Sequence, residues 1–391
     1  MKTFKLLRKK AVLVIFAILL TTTNLVSAQT LANPKTYLPL VQNAAYNGFN
    51  TNSKFLGIYM QQYWTDAAVA TYMPIADNLS GKKHSVSAWF INFQNIAFTS
   101  RQTDNRTNNF YRQLEALWKK GYISFVNLGT ASQITSYDVT DNCPIPFSAY
   151  QVASGQCDHA IQKMADLYYQ WVSQPNANGR RAFLAPLPEM NGVNANGQPW
   201  TSYGGDAYNF KLAYQRIQDI FAQRGVTQDM VWWVFAPNGW SKSGHEFEKY
   251  YPGDNAVDVV GFSMYNYGYC QVALAFPKWE NYDTLYAPYI SRIQSMAPNK
   301  PIIIAQTGST DQTGYNQHDA AAKNTWLQVN YEYLSTQPQV LGILYYDYDQ
   351  SSWECFWRIT NGNTFKPGYS AGAGYSAFQY LTWQNLQSII P

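Results

Sequence analysis

The chain has 391 residues, of which only 13% are charged while 16% are aromatic, including 31 Tyr and 13 Trp. Five of its 28 basic residues fall in the first 28 positions with no acid among them, which leaves 23 basic against 24 acidic residues beyond, a net of −1. That balance excludes a basic nucleic-acid-binding stripe and an affinity for anionic membrane surfaces. Abundant flat aromatic faces suit stacking on sugar rings, as well as filling a large core.

The chain opens with Lys2, Lys5, Arg8, Lys9 and Lys10, an apolar run Ala11–Leu20, and the small residues of Val26-Ser27-Ala28. This order predicts a secretory signal, residues 1–28, cleaved after Ala28; an uncleaved anchor is the alternative. The run is too short to span a bilayer, and no later stretch of about 18 apolar residues follows. The expected product is secreted or held at the cell surface, with no membrane contact after cleavage. Residues 29–391 are expected to form one domain, its first part, 29–50, lying on the periphery.

Short apolar runs then alternate with longer amphipathic ones. The predicted strands are Phe55–Tyr59, Ser87–Phe93, Ile123–Leu128, Ala182–Leu187, Val231–Ala236, Val257–Ser263, Ile302–Ala305 and Val340–Tyr346. Helical patterns cover Asn108–Lys119, Asp158–Val172, Ala207–Arg224, Tyr289–Met296 and Ala320–Leu334. Eight strands separated by helices argue for an α/β fold, a single parallel (β/α)8 barrel. An open doubly wound sheet is the alternative. Such a sheet usually has a Gly-rich phosphate loop after its first strand, and Leu56–Trp64 (LGIYMQQYW) is not one.

Barrel enzymes build their sites just past the strand C-termini. That rule selects Tyr59, Asn92, Gly129, Glu189, Pro237-Asn238, Tyr265-Asn266, Gln306 and Asp347. Glu189 ends the run Leu184–Gly192 (LAPLPEMNG), and Gln306 holds the matching place in Lys300–Gly308 (KPIIIAQTG). Cys143 and Cys157, with Cys270 and Cys355, form the simplest of three disulfide pairings. No CxxC occurs, and His84, His159, His245 and His318 are scattered, so no metal site is expected. Asn78-Leu79-Ser80 and Asn105-Arg106-Thr107 are glycosylation sequons.

Roughly from Gly57 to Ile359, the chain resembles glycoside hydrolase family 26, whose best-known members are β-mannanases. The landmarks are Ser154–Ile161 (SGQCDHAI), the PEMNG of Pro188–Gly192, Trp200, Asn209–Ile217 (NFKLAYQRI) and Val231–Asn238 (VWWVFAPN). Tyr250–Gly268, Lys300–Ser309 (KPIIIAQTGS), Leu341–Asp349 (LGILYYDYD) and Trp357–Ile359 (WRI) follow in order. The resemblance implies the barrel fold and Glu189 as general acid/base, with Asn191 shaping its loop or bonding a sugar hydroxyl. It also implies that Tyr265 hydrogen-bonds the nucleophile. Trp200, Trp240 and Trp357 are candidate sugar platforms; Tyr59, Asn238 and Asp347 complete the candidate substrate contacts. No cofactor is implied; the expected partner is a polysaccharide or oligosaccharide.

Three positions depart from the family. Ala185 and Pro188 stand where the family carries Arg and His, and Gln306 stands at the nucleophile. A neutral amide neither attacks an anomeric carbon nor steadies an oxocarbenium-like centre as a carboxylate does. Four accounts follow: a non-catalytic glycan binder, an inverting hydrolase using Asp347, Asp349 or Asp311, another nucleophile, or an engineered isosteric change. The functional expectation is a glycoside hydrolase-like protein for a β-linked mannan, glucan or xylan. The alternative is a pseudoenzyme that binds carbohydrate or serves a structural role at the cell surface.

Overall fold

The computed structural model describes residues 48–60, 64–93, 109–130, 143–144, 146–175, 179–194, 196–270, 277–350 and 355–391. The expected signal segment 1–28, most of the peripheral stretch 29–50 and the sequon at Asn105 lie outside the described residues. Eight parallel strands close into a barrel: β1 (Phe55–Met60), β2 (Val86–Asn92), β3 (Ile123–Gly129), β4 (Phe183–Pro186), β5 (Trp232–Phe235), β6 (Val259–Asn266), β7 (Ile302–Ser309) and β8 (Val340–Asp347). Each strand pairs with its chain neighbours, and β1 pairs with β8 to seal the ring. Every predicted strand is present, displaced at its ends by at most a few residues.

Alternation along the strands fills the barrel. Phe55, Val86, Ala88, Phe125, Phe183, Trp232, Val234, Val259, Ile303 and Leu344 point inward and form one buried cluster. Gly342 leaves room for the Phe55 ring, whose atoms lie 2.3 Å from where a Cβ would stand. Leu381, Leu386 and Ile390 join this cluster from the C-terminal segment.

Outside, amphipathic helices bury one face against the barrel. They are α1 (Asp66–Ser80), α2 (Asn109–Lys119), α3 (Asp158–Val172), α4 (Ala207–Gln223), α5 (Ala287–Met296), α6 (Ala320–Thr336), α7 (Lys366–Ala373) and α8 (Trp383–Ile389). Their starts follow local chemistry: the Thr65, Asp206 and Asp319 side chains accept the Ala68, Asn209 and Ala322 amides at 2.9–3.1 Å. Helix α1 carries Pro74 in its interior and still forms, ended by Gly81 at φ 72°. No α-helix follows β5. Two 3₁₀ turns, Phe247–Tyr250 and Asp254–Ala256, replace it.

Both disulfides of the simplest pairing are present, Cys143–Cys157 and Cys270–Cys355. The first braces the connection from β3 to α3. The second ties the segment after β6 to the segment after β8, against Tyr265 and Trp357. Among the described residues no cluster of His, Cys, Asp and Glu forms a metal site, and no helix is long and apolar enough to cross a membrane.

Candidate active site

Glu189 sits on a turn that local hydrogen bonds hold in an unusual shape. Leu187 and Glu189 adopt φ of 52° and 57°, the left-handed region that non-glycine residues rarely enter. The turn is laced to both neighbouring strands: Leu187 N donates to Leu128 O at 2.7 Å and Glu189 N to Ala236 O at 2.8 Å. The Tyr203 hydroxyl donates to Pro188 O at 3.0 Å. Asn191 is fully buried and spends its amide on one partner: Nδ2 donates to Asn238 O and Oδ1 accepts from Asn238 N, both at 2.8 Å. Both bonds tie the Glu189 turn to Asn238, the contact that the loop-shaping role expected for Asn191 calls for. Strain concentrated at one acidic residue is how sites preorganise a functional group.

Burial raises the Glu189 pKa, and the Ser263 and Asn238 side chains beside it oppose the shift. Among the described residues no cation acts on it. A carboxyl kept protonated toward neutral pH suits a general acid. We expect Asn191→Ala to release the Asn238 backbone and destabilise the chain by about 2–4 kcal/mol, since two buried hydrogen bonds are lost. Denaturant unfolding measures the loss; a change under about 0.5 kcal/mol would show that the clamp is dispensable.

Gln306 is brought to the same mouth by an irregularity in β7. The β6–β7 register passes from Phe262 opposite Ile304 to Ser263 opposite Gln306, so Ala305 is the extra residue. A bulge of this kind re-aims the side chain that follows it. Gln306 is 4% exposed, and the Tyr265 hydroxyl donates to its Oε1 at 2.7 Å. The contact inferred for Tyr265 is thus present, with an amide as acceptor. The Glu189 charge in turn acts on Tyr59, Tyr203, Tyr265 and Tyr267, adding to the burial that holds their pKa values high. Asn238, bonded to the Glu189 turn, bridges Ser263, and Ser263 stands opposite Gln306, so Glu189 and Gln306 lie at one tyrosine-lined chamber.

The chamber's wall is a connected set of rings. Tyr59 lies 5.4 Å from Phe90 and 5.6 Å from Tyr346; Tyr346 lies 5.7 Å from Tyr265. The Tyr59 hydroxyl accepts from Asn127 Nδ2 at 2.8 Å, so its own proton remains free to donate. Phe90, Tyr203, Tyr267 and Tyr346 were missed by the strand-end rule. The inward alternation Val86, Ala88, Phe90 along β2 was the signal for Phe90, which is 51% exposed at the mouth.

The tryptophans divide. Trp200 and Trp240 are 48% and 45% exposed and lie near-parallel, 6.2 Å apart. Trp200 covers Gly192 of the Glu189 turn, where any Cβ would strike its ring. Trp357 is only 1% exposed and stacks on Tyr265 at 4.5 Å. Its ring backs the chamber instead of offering an open platform.

Asp347 is a correction. It is buried, with Oδ1 accepting from Ile359 N at 2.5 Å and Thr360 N at 3.1 Å, and the Thr360 hydroxyl donating to Oδ2. Both oxygens hold backbone and hydroxyl partners of this chain, not the open position expected of a sugar contact or a base. Asp349 meets Arg358 at 3.5 Å and accepts from its backbone N at 3.3 Å; Asp311 pairs with His318 at 2.9 Å. The three acids considered for an inverting route are thus all engaged. Asn266, chosen by the strand-end rule, is fully buried between Ser309 Oγ and Glu280 N.

The parallel barrel thus carries an acid just past its fourth strand and, on its seventh, an amide held by a tyrosine. Residues 186–305 match the model of glycosyl hydrolase family 26, a span that takes in Glu189 and ends one residue before Gln306. The curated relative endoglucanase H of Acetivibrio thermocellus is 26% identical over 382 residues, covering 94% of this chain and 34% of that protein. The chain thus spans about a third of that relative's length. Among solved structures, a GH26 β-mannanase from Bacteroides ovatus superposes with a TM-score of 0.60 at 14% identity, over 87% of this chain and 93% of the other. A Cellulomonas fimi endo-β-1,4-mannanase double mutant gives 0.58 at 14% identity, over 87% and 74%. A β-mannanase from a symbiotic protist of the termite Reticulitermes speratus, complexed with gluco-manno-oligosaccharide, gives 0.54 at 15% identity, over 86% and 90%. At such identities the superpositions establish the fold. Together with the family match over the strand-four to strand-seven core, they bear out the resemblance to family 26.

Proposed function

We propose that the chain is an exported family 26-type glycoside hydrolase that binds a β-linked polysaccharide in the mouth of its barrel, with hydrolysis slow or lost in the sequence as it stands. The observation that carries this is the pairing of Glu189, a carboxyl with a raised pKa, with Gln306, an amide held by Tyr265 in the same chamber. Glu189 supplies the proton a leaving oxygen needs. The positive charge then growing at the anomeric carbon meets a neutral amide, and the loss of an anion there costs on the order of 3–4 kcal/mol or more. The engagement of Asp311, Asp347 and Asp349 with other partners speaks against an inverting route.

The relatives name two sugars, glucan for the curated endoglucanase and mannan for the structural neighbours. The expected substrate is a β-linked chain of one of these, and xylan is the third to test. Calorimetry with cello-, manno- and xylo-oligosaccharides is expected to show binding to at least one. Phe90→Ala, Trp200→Ala and Trp240→Ala are each expected to weaken it by about tenfold, the value of one lost aromatic contact. Silence across all three series would replace this reading with a structural role at the cell surface. Export is tested by the mature N-terminus, expected at Gln29.

A further inference from the structure

Lys323 lies on α6, in the outer ring of helices, and is completely buried. Its Nζ donates to Phe356 O at 3.0 Å, Trp357 O at 3.2 Å and Arg358 O at 3.1 Å. An ammonium has three N–H groups, and here all three are spent on consecutive carbonyls of one segment. In an extended chain successive residues face opposite ways. Three successive carbonyls converge on one point only when the backbone curls around it, and their dipoles repel unless a cation sits at the centre. The next two backbone N–H groups, of Ile359 and Thr360, point to Asp347. A buried lysine thus takes three carbonyls of residues 356–358 and a buried aspartate the two amides that follow. Tyr345 adds its hydroxyl to Trp357 O at 2.8 Å, and the Phe365 ring lies 4.2 Å from the Lys323 ammonium.

The curl has one product inside the chamber. It presents the Trp357 ring to Tyr265, which donates to Gln306. Filling the space under α6 calls only for an apolar side chain, and a buried lysine is a costly way to do it. We propose that Lys323 is a positioning residue of the glycan cleft, holding the Trp357 wall against Tyr265 and so fixing the Gln306 amide from outside the barrel. This rests on the reading of the mouth as a glycan cleft. Lys323 touches no substrate, and Asp347 is its partner in the clamp.

Burial lowers the Lys323 pKa to about 7, against the charges of Asp311, Asp347 and Asp349 that favour the ammonium. Among the described residues near it, Arg358 pairs with Asp349 and His318 with Asp311. As pH rises through that value the nitrogen loses one of its three donors, and the curl loses one of the bonds that hold it.

The test compares the native chain with Lys323→Met and Lys323→Arg, using cellotetraose and mannotetraose as probes. Lys323→Met is expected to weaken binding about tenfold or more and to speed amide exchange in residues 355–360 above the rest of the chain. Lys323→Arg, which keeps a charge and donors, is expected to recover part of both. Native affinity in Lys323→Met would overturn the proposal. If that variant does not fold, the native chain decides. Affinity falling as pH rises through about 7, in the native chain and equally in His318→Gln, supports the clamp; a flat profile overturns it. If neither probe binds the native chain, the cleft reading fails and exchange alone judges Lys323: faster exchange confined to 355–360 in Lys323→Met supports positioning, and unchanged exchange refutes it.

Discussion

Gln306→Glu is expected to convert the chain into a retaining hydrolase of a β-linked polysaccharide, with a rate gain of hundreds-fold or more over the unaltered sequence. The magnitude follows from restoring a stabilising anion, about 3–4 kcal/mol at the transition state. The surroundings already suit a carboxylate: the Tyr265 hydroxyl donates to the side-chain oxygen at 2.7 Å and stays protonated, its pKa held high by burial and the nearby Glu189 charge. Glu189 must be protonated to serve as the acid. Because burial raises its pKa, the rate is expected to hold toward neutral pH and to fall as pH rises through that pKa. Glu189→Gln in the Gln306→Glu background should abolish the gain. Reducing-sugar release from glucan, mannan and xylan, with product anomers followed by NMR, reads all of this. A brisk native rate with an inverted product would instead mean that an acid outside the Glu189–Gln306 pair activates water.

The largest stability effect is expected from opening the Cys270–Cys355 bond. It closes a separation of 85 residues, for which the chain-entropy model gives roughly 4–5 kcal/mol. Against a typical total of about 5–15 kcal/mol, that is a large share. Cys270→Ser with Cys355→Ser should also lower glycan affinity, because the bond packs against Tyr265 and Trp357 and anchors the start of the Lys323 curl. The Cys143–Cys157 bond closes only 14 residues, so its removal is expected to cost roughly 3 kcal/mol and to spare binding. Unfolding midpoints of the two double variants, beside native, measure the difference. Equal midpoints in all three would remove the loop-closure account.

Legibility varied with the range of the forces involved. Strands showed clearly because an inward and an outward face alternate along a few residues, a local pattern. Helix α1 did not, because Pro74 interrupts the helical signal while packing and the Thr65 and Gly81 caps sustain the helix. Asp347 read as a site acid from its place at a strand end. Only the fold reveals that the amides of Ile359 and Thr360, 12 and 13 residues onward, return to claim it. Trp357 read as a platform for the same reason: a tryptophan's exposure depends on what the chain lays over it.

By itself the sequence determined the strand and helix alternation of the barrel, the place of Glu189 and the amide at Gln306. These are properties of residue type, spacing and period-two or helical alternation, all local in the chain. The fold chose the two cysteine pairs from three possible pairings. The tertiary structure alone decided which polar groups remain free for a ligand. That outcome depends on partners distant in sequence: Asn238 for Asn191, Tyr265 for Gln306, three loop carbonyls for Lys323. A hydrogen-bonding group serves a ligand only when no nearer partner has taken it, and such competition is settled in three dimensions.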